Sequence, residues 1–472
     1  MATVDDIIRR AKRAAGEFRK FNQQQVDTIV RAVYLAAMDN RVRLAKMAAD
    51  ETNLGVWQHK VMKNVIASQL VYDHIKNQKT VGVISEDAVS GIIELAQQLG
   101  PILALVPVTN PTSTTIFKIL ITMKTRNPVI ISGNPMAKNS VAETARVCYE
   151  AALKAGAPED CVQWLAKPNI MKTKEIMGHR GLALILATGT GELVKASYSS
   201  GTPTIGIGSG NVPVYIGASA DIPFAVQSIL LSKTFDNGSI CASEQAVVVK
   251  RAMANKIIDE FKRQKAYFMT PEEIEKIGRV AYDAERGVMT AAIVGQPVER
   301  IAEKAGFTVP DGTNVLVGIV DRVSRDCPLS AELLAPILAF YIEEDFESGM
   351  ERCREITRFG GIGHTAVIYS NKPERIEYFS RTLDVARLLV NTPSTHGALG
   401  GIYNSLPPSF TLSCGSGGKN STTDNISTRN LLNIHRICRR RINERWMNVG
   451  TETFLDESIT GERFEVEYNK NS

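Results

Sequence analysis

Cys241 sits between a tight turn and an apolar run. The segment reads Ser232-Lys233-Thr234-Phe235-Asp236-Asn237-Gly238-Ser239-Ile240-Cys241-Ala242-Ser243-Glu244-Gln245, then Ala246-Val247-Val248-Val249. Asn237 and Gly238 are turn formers. The β-branched run behind them reads as a buried strand. A thiol held there is well placed to be a nucleophile. The same spacing suits a small buried hydrophobe, the commonest fate of a free Cys. The other cysteines lie at 148, 161, 327, 353, 414 and 438, with no CxxC. No Cys/His cluster has zinc spacing, so no metal site is expected, and the scatter fits a reducing compartment.

Three more segments could do chemistry. Ala187-Thr188-Gly189-Thr190-Gly191 joins an apolar run to a helical pattern. Glycines there let a phosphate approach backbone N–H groups at a helix N-terminus; a plain strand–helix turn is the alternative. Pro107-Val108-Thr109-Asn110-Pro111-Thr112-Ser113-Thr114 is dense in small donors before a helix, and ordinary capping would explain it too. Gly206-Ile207-Gly208-Ser209-Gly210-Asn211-Val212-Pro213 follows an extended stretch.

Periodicity supplies the elements that must position these segments. Helices are expected at 4–18, 26–37 and 60–75, and strands at 89–95 and 102–106. From 102 the pattern alternates: helix 112–124, strand 129–132, helix 140–155 stopped by Gly156, strands 162–165 and 182–187, helix 192–198. Short apolar strands alternating with helices imply α/β architecture, a mostly parallel sheet covered on both faces. Ligands then sit beyond the carboxyl ends of the strands, after Val106, Ser132 and Ala187. A second α/β region follows Cys241. Its expected helices are 254–264, 271–282, 346–359 and 373–383. Its expected strands are 315–320, 337–341, 365–369 and 388–391. The arginine-rich stretch 431–445 reads as a solvated helix face, and the last 20 residues as an extended arm or disorder.

The chain has 472 residues, 44% apolar and 22% charged, with a formal net charge of +5. That length and balance fit a globular protein of two to three domains. No basic patch with interleaved aromatics points to nucleic acid. No signal peptide or membrane span is expected.

Ser232–Val249 with its Cys241, Val106–Lys118, Leu184–Gly210, Gly363-His364-Thr365-Ala366 and Thr411–Ser421 resemble the CoA-acylating aldehyde dehydrogenases. The resemblance is to the aldehyde dehydrogenase half of the bifunctional aldehyde–alcohol dehydrogenases, over roughly residues 5–440. It implies an aldehyde-dehydrogenase-like fold: a Rossmann-type cofactor domain (1–231), an α/β catalytic domain with a nucleophilic Cys (232–425), and a C-terminal segment (426–472). That last segment would return to the cofactor domain or the subunit interface as a small oligomerisation element. It also implies the reaction aldehyde + CoA + NAD⁺ to acyl-CoA + NADH, reversible, through a thioester on Cys241.

The roles follow from the resemblance residue by residue. Cys241 is the nucleophile. Asn110 is the oxyanion amide, although related hydrolytic enzymes carry that amide where this chain has Thr109. The loop Thr109, Asn110, Pro111, Thr112, Ser113 and Thr114, then Gly189, Thr190 and Gly191, and Gly208 with Gly210 resemble dinucleotide-contacting loops. Glu332 resembles the Glu that bonds the nicotinamide ribose, and Leu412 walls the cleft. Gly133-Asn134-Pro135 offers no basic side chain at once to a 2′-phosphate, which favours NAD over NADP. His364, in a mobile glycine loop, would assist the CoA thiol or tune Cys241; a satisfied structural His is the alternative, and His396 is a weaker candidate. Where the family commonly shows Cys-Gly-Ser-Trp-Gly, this chain has Cys414-Gly415-Ser416-Gly417-Gly418.

One absence is informative. Hydrolytic relatives place a Glu general base where this chain has Ile207, which cannot deprotonate water. CoA is therefore the expected acyl acceptor. Acetaldehyde is the default substrate, with succinate semialdehyde and sulfoacetaldehyde as alternatives. A hydrolytic dehydrogenase and an inactive cofactor-binding assembly protein are the competing readings. The resemblance further implies a homodimer or larger homo-oligomer. A cytoplasmic location is expected, and the amphipathic N-terminal helix, which runs straight into the domain without a linker, favours a free enzyme over one enclosed in a bacterial microcompartment. A second, iron-binding domain is not expected within this length.

Overall fold

The computed structural model describes residues 3–283, 285 and 288–470. Two parallel sheets form the body. The first has five strands in the order Val162–Trp164, Val129–Gly133, Ile102–Val106, Leu184–Ala187, Thr204–Gly206. All its pairings are parallel. Counted along the chain the order is 3-2-1-4-5, the doubly wound arrangement that binds ligands past the strands' carboxyl ends. The central strand Ile102–Val106 is buried at every residue. That is why it reads as a continuous apolar run rather than an alternating one. Helix Pro111–Lys124 is also buried throughout, with Phe117 against Phe410.

The second sheet has seven parallel strands: Ala266–Phe268, Val315–Ile319, Ile337–Glu343, Glu244–Lys250, Val212–Ile216, Gly363–Tyr369, Val385–Val390. The apolar run after Cys241 is its central strand, as the sequence implies. The sheet recruits Val212–Ile216, upstream of the boundary expected at 231/232. Pro213 hides this strand from a sequence reading, since proline interrupts a ladder; here the register shifts between Val212 and Pro213 and absorbs it.

A third, antiparallel sheet joins Gly82–Asp87, Ile92–Gln98 and Leu432–Cys438. It corrects two expectations. Val89 lies in the turn between the first two strands, not in a strand. The stretch expected as a helix face at 431–445 holds the strand Leu432–Cys438, with Arg436 beside Glu94 at 3.1 Å. Cross-strand partners decide this, and they lie more than 300 positions apart in the chain. The final segment is helical rather than extended, with helices Thr451–Leu455 and Gly461–Asn469. Thr460 caps the second by accepting from the Arg463 N–H, and Phe454 packs on Trp446 and Phe464. Helices Arg41–Thr52, Ile170–Met177 and Ile222–Thr234 are additions to the sequence reading. No helix among the described residues is long and apolar enough to cross a membrane.

Candidate active site around Cys241

The turn before the nucleophile is unusual. Asp236, Asn237 and Gly238 all have left-handed backbone, with φ of 52°, 52° and 70°. Asp and Asn tolerate this region and Gly is free in it. A Cβ on Gly238 would also meet the Ala335 carbonyl oxygen at 2.8 Å. Strained turns persist only when their surroundings over-determine them. Here the Asp236 carboxylate accepts from Val56 N at 2.7 Å, Lys60 Nζ at 2.9 Å and Ser239 Oγ at 2.9 Å, and pairs with Lys63. The Asp236 N–H donates to His59 Nδ1 at 2.9 Å. The turn therefore delivers Cys241 on a braced support, half-buried against the core.

Four segments converge on the thiol. Gly210 approaches so closely that a Cβ would lie 1.8 Å from the Cys241 carbonyl oxygen. Its N–H donates to Glu332 Oε1 at 3.1 Å. Glu332 lies outside any helix. Burial pushes its carboxyl up to about 7. Cys414 lies on the other side of this loop, its Sγ 3.5 Å from the Cβ position of Gly208.

His364 supplies the direct contact: Nε2 is 3.3 Å from Cys241 Sγ. It lies in strand Gly363–Tyr369 and is fully buried, so the expected mobile loop is a rigid strand. Its Nδ1 meets Thr365 Oγ1 at 3.0 Å, and Arg387 Nε donates to the same oxygen at 3.2 Å. A hydroxyl oxygen can accept twice. Accepting Nδ1–H leaves Nε2 as the acceptor facing the thiol. Burial, and then the Arg387 charge, hold His364 far below the usual imidazole range. Burial and Glu332 push Cys241 above the usual thiol range. The resting pair is thus thiol and neutral imidazole.

Arg387 is 3% exposed and has no carboxylate partner among the described contacts. It donates to Ser413 O at 3.0 Å, Leu412 O at 3.5 Å, Asn425 Oδ1 at 3.3 Å and Thr423 O at 3.5 Å. It also borders a cavity of about 840 Å³ between the antiparallel sheet and the edge of the seven-stranded sheet. That cavity includes neither Cys241, Asn110 nor Glu332; the chemistry lies on the other side of Arg387.

Asn110 stands at the N-cap position of helix Pro111–Lys124 but makes no cap hydrogen bond. Its Oδ1 instead accepts from Lys63 Nζ at 2.6 Å, and its Nδ2 donates to Thr109 Oγ1 at 3.1 Å. Ordinary capping therefore does not explain this Asn. Pro111, Thr112, Ser113 and Thr114 form the buried first turn. Thr112 donates to Asn64 at 2.8 Å, and Thr114 Oγ1 is buried without a partner. Thr190 caps helix Gly191–Tyr198, and space beside Gly191 is open to 4 Å. An open helix N-terminus and an unpartnered buried hydroxyl at the ligand end of the first sheet suit a dinucleotide.

Leu412 is 2% exposed and pairs by backbone with Asn425; its carbonyl accepts from Arg387 and from Cys414 Sγ, and its side chain lies in the core. His396 is 5% exposed and packs on Phe235, ring centroids 4.7 Å apart. Sequence reasoning missed Lys60, Lys63, Thr365, Arg387 and Cys414 as site residues. A pair of lysines three apart in the helical stretch 60–75 was the available signal, and it also fits a solvated face. Among the described residues no group of three His, Cys, Asp or Glu is placed to hold a metal.

Glu332→Gln tests the electrostatics. It removes the group that titrates near 7 and the negative charge that raises the thiol. Cys241 should then alkylate faster with iodoacetamide above pH 7, where Glu332 would otherwise carry its charge, at an unchanged rate below it, and the inflection near 7 should vanish from the profile. An unchanged profile would show that Glu332 does not act on the sulfur.

Comparison with known proteins agrees with this geometry. The model of the aldehyde dehydrogenase family matches residues 1–406. The chain is similar to the bifunctional aldehyde-alcohol dehydrogenase of Escherichia coli (strain K12), 44% identical over 98% of this chain and 53% of that one. It spans about half the length of this and similar curated relatives. It is 34% identical to an acetylating succinate-semialdehyde dehydrogenase of Clostridium kluyveri, over 92% and 95% of the two chains. The crystal structure of an acetylating aldehyde dehydrogenase from Geobacillus thermoglucosidasius superposes with a TM-score of 0.91 at 41% identity, covering 93% and 97%. The cysteine on its braced turn, the histidine at its sulfur and the doubly wound sheet beside them are those of a chain that belongs to the aldehyde dehydrogenase family.

Proposed function

We propose that the chain is a CoA-dependent acylating aldehyde dehydrogenase, converting aldehyde, CoA and NAD⁺ to acyl-CoA and NADH, reversibly. The observation that carries it is the pairing of a half-buried Cys241 with His364 at 3.3 Å, with no carboxylate at Ile207, which is 6% exposed and apolar. Cys241 Sγ attacks the aldehyde carbon, and His364 Nε2 takes the thiol proton. The Cys241 backbone N–H and the Asn110 amide hold the oxyanion of the thiohemiacetal. The dinucleotide, held by the Thr109–Thr114 loop, Gly189–Gly191, Gly208, Gly210 and Glu332, supplies the hydride acceptor. The acyl group left on Cys241 then passes to the CoA thiol.

A positioned general base is worth about 10²–10⁴-fold, so its absence at Ile207 leaves water a slow acceptor. A thiol, already a few per cent ionised at neutral pH, needs less help. NAD is preferred to NADP in this reading. The loop after strand Val129–Gly133 turns the Asn134 side chain back onto Met136 N at 2.9 Å and offers no adjacent cation. Acetaldehyde is the proposed substrate, with succinate semialdehyde or sulfoacetaldehyde as alternatives within the same chemistry. We assign the cofactor domain to the five-stranded sheet, the catalytic domain to the seven-stranded sheet, and subunit contact to the antiparallel sheet, in a cytoplasmic homo-oligomer. The apolar residues exposed along that last strand and beyond, Ile437 and Ile442, support the contact.

The test is an aldehyde panel with and without CoA. Steady-state NADH should appear only with CoA. Without it, turnover should stop near one equivalent and continue roughly 10²–10⁴-fold slower. Free acid at an undiminished rate without CoA would establish the hydrolytic reading instead.

A further inference from the structure

Buried ammonium groups are rare unless something holds them. Helix Trp57–Val65 buries two, Lys60 at 2% and Lys63 at 1% exposure. Both meet one anion, the fully buried Asp236. One lysine would neutralise it, so the second leaves a net positive charge in the protein interior. Ion-pair stability does not call for that excess, because uncompensated buried charge is costly.

The partners of the two lysines show what the excess does. Lys60 Nζ also donates to Thr109 O at 3.2 Å. Lys63 Nζ donates to Asn110 Oδ1 at 2.6 Å and Ser239 Oγ at 3.2 Å as well as to Asp236. An ammonium has three donors and no acceptor, so Lys63 is saturated by these three. It can face only the oxygen of the Asn110 amide. The nitrogen must point the other way, one N–H on Thr109 Oγ1 and the second unclaimed among the described hydrogen bonds. Ser239 lies two residues before Cys241. Lys63 thus clips three segments together: its own helix, the Thr109–Asn110 loop of the first domain, and the turn that carries the nucleophile.

We propose that Lys63 is the positioning residue of the oxyanion site, fixing the Asn110 amide with its free N–H presented and holding that amide in register with Cys241. This rests on the reading of Asn110 as the oxyanion donor. The cation behind the amide oxygen also polarises the group, which strengthens its N–H as a donor. Burial lowers Lys63 to about 8, so the clip is charged at neutral pH.

Lys63→Met keeps the shape and removes the donors, leaving Asp236 paired with Lys60. A displaced catalytic group costs up to about 10²-fold; kcat should fall by that order while KM for the aldehyde stays constant. Alkylation of Cys241 by iodoacetamide, which develops no oxyanion, should fall far less than kcat, by the lost Lys63 charge alone. In an Asn110→Ala background, Lys63→Met should add nothing, since the two act as one unit. Lys63→Gln, which retains a neutral donor, should keep more activity than Met, and it serves in the same cycle if the Met variant does not fold. Asn110→Ala alone should cost about 10²–10³-fold in kcat. If it does not, the oxyanion reading falls. If it does but the Lys63 variants retain full kcat, or their loss multiplies with that of Asn110→Ala, the Lys63 proposal is overturned.

Discussion

Cys241→Ala should lower aldehyde-dependent NADH formation by roughly 10⁴-fold or more, the scale seen when a nucleophile is removed from a catalytic unit. The melting temperature should hardly move, because the change removes one half-buried sulfur from a turn braced elsewhere. The bracing comes from Asp236, which is tied to Val56, Lys60 and Lys63, not from the thiol. Mass spectrometry supplies the second readout. Wild type, given aldehyde and dinucleotide without CoA, should carry one acyl group on the peptide containing Cys241, and the variant none. Cys414 is the control, since it is also in the site, 1% exposed. An acyl group on Cys414, or retention of more than a trace of activity, would move the chemistry to another sulfur.

His364→Ala should cost about 10²–10⁴-fold in kcat, the usual worth of a positioned base. Cys241 alkylation should slow as well, because the thiol loses the imidazole nitrogen 3.3 Å from its sulfur. The pH profile adds a sign. As a base, His364 is competent above its pKa and lost below it. Since burial and Arg387 push that pKa far down, wild-type activity should show no acid limb near 6.5 from this residue. Burial pushes the Glu332 carboxyl up to about 7, so a limb there is expected from Glu332, protonated below it and ionised above. A wild-type limb at 6.5 that disappears in His364→Ala would mean that burial and Arg387 do not depress the imidazole. Equal rates in wild type and variant would make His364 a packing residue.

Much of the site was legible in the chain. The Asn237-Gly238 turn, Cys241 and the β-branched run are consecutive, so their order placed a thiol in front of a core strand, and the family resemblance made it the nucleophile rather than a buried hydrophobe. The loops at Thr109–Thr114, Gly189–Gly191 and Gly206–Gly210 were each marked by small residues between apolar runs. The alternation of strands and helices gave the parallel sheets. Misreadings came where local pattern and distant partner disagree. Leu432–Cys438 looks helical and charged, but Ile92–Gln98 makes it a strand. Val212–Ile216 is disguised by Pro213, and the ladder tolerates it through a register shift.

The amino-acid sequence by itself marked Cys241 as the candidate nucleophile and showed that no carboxylate stands at Ile207; through the family resemblance it also named the loops proposed to meet a dinucleotide. These depend on residue type and on motifs that are continuous in the chain. Only the tertiary structure decided what the nucleophile touches. His364 lies 123 positions from Cys241, Arg387 a further 22 from Thr365, and Lys63 47 from Asn110. Proton affinity and amide orientation are set by burial and by charges within a few ångströms. Those distances exist only once the two sheets have packed.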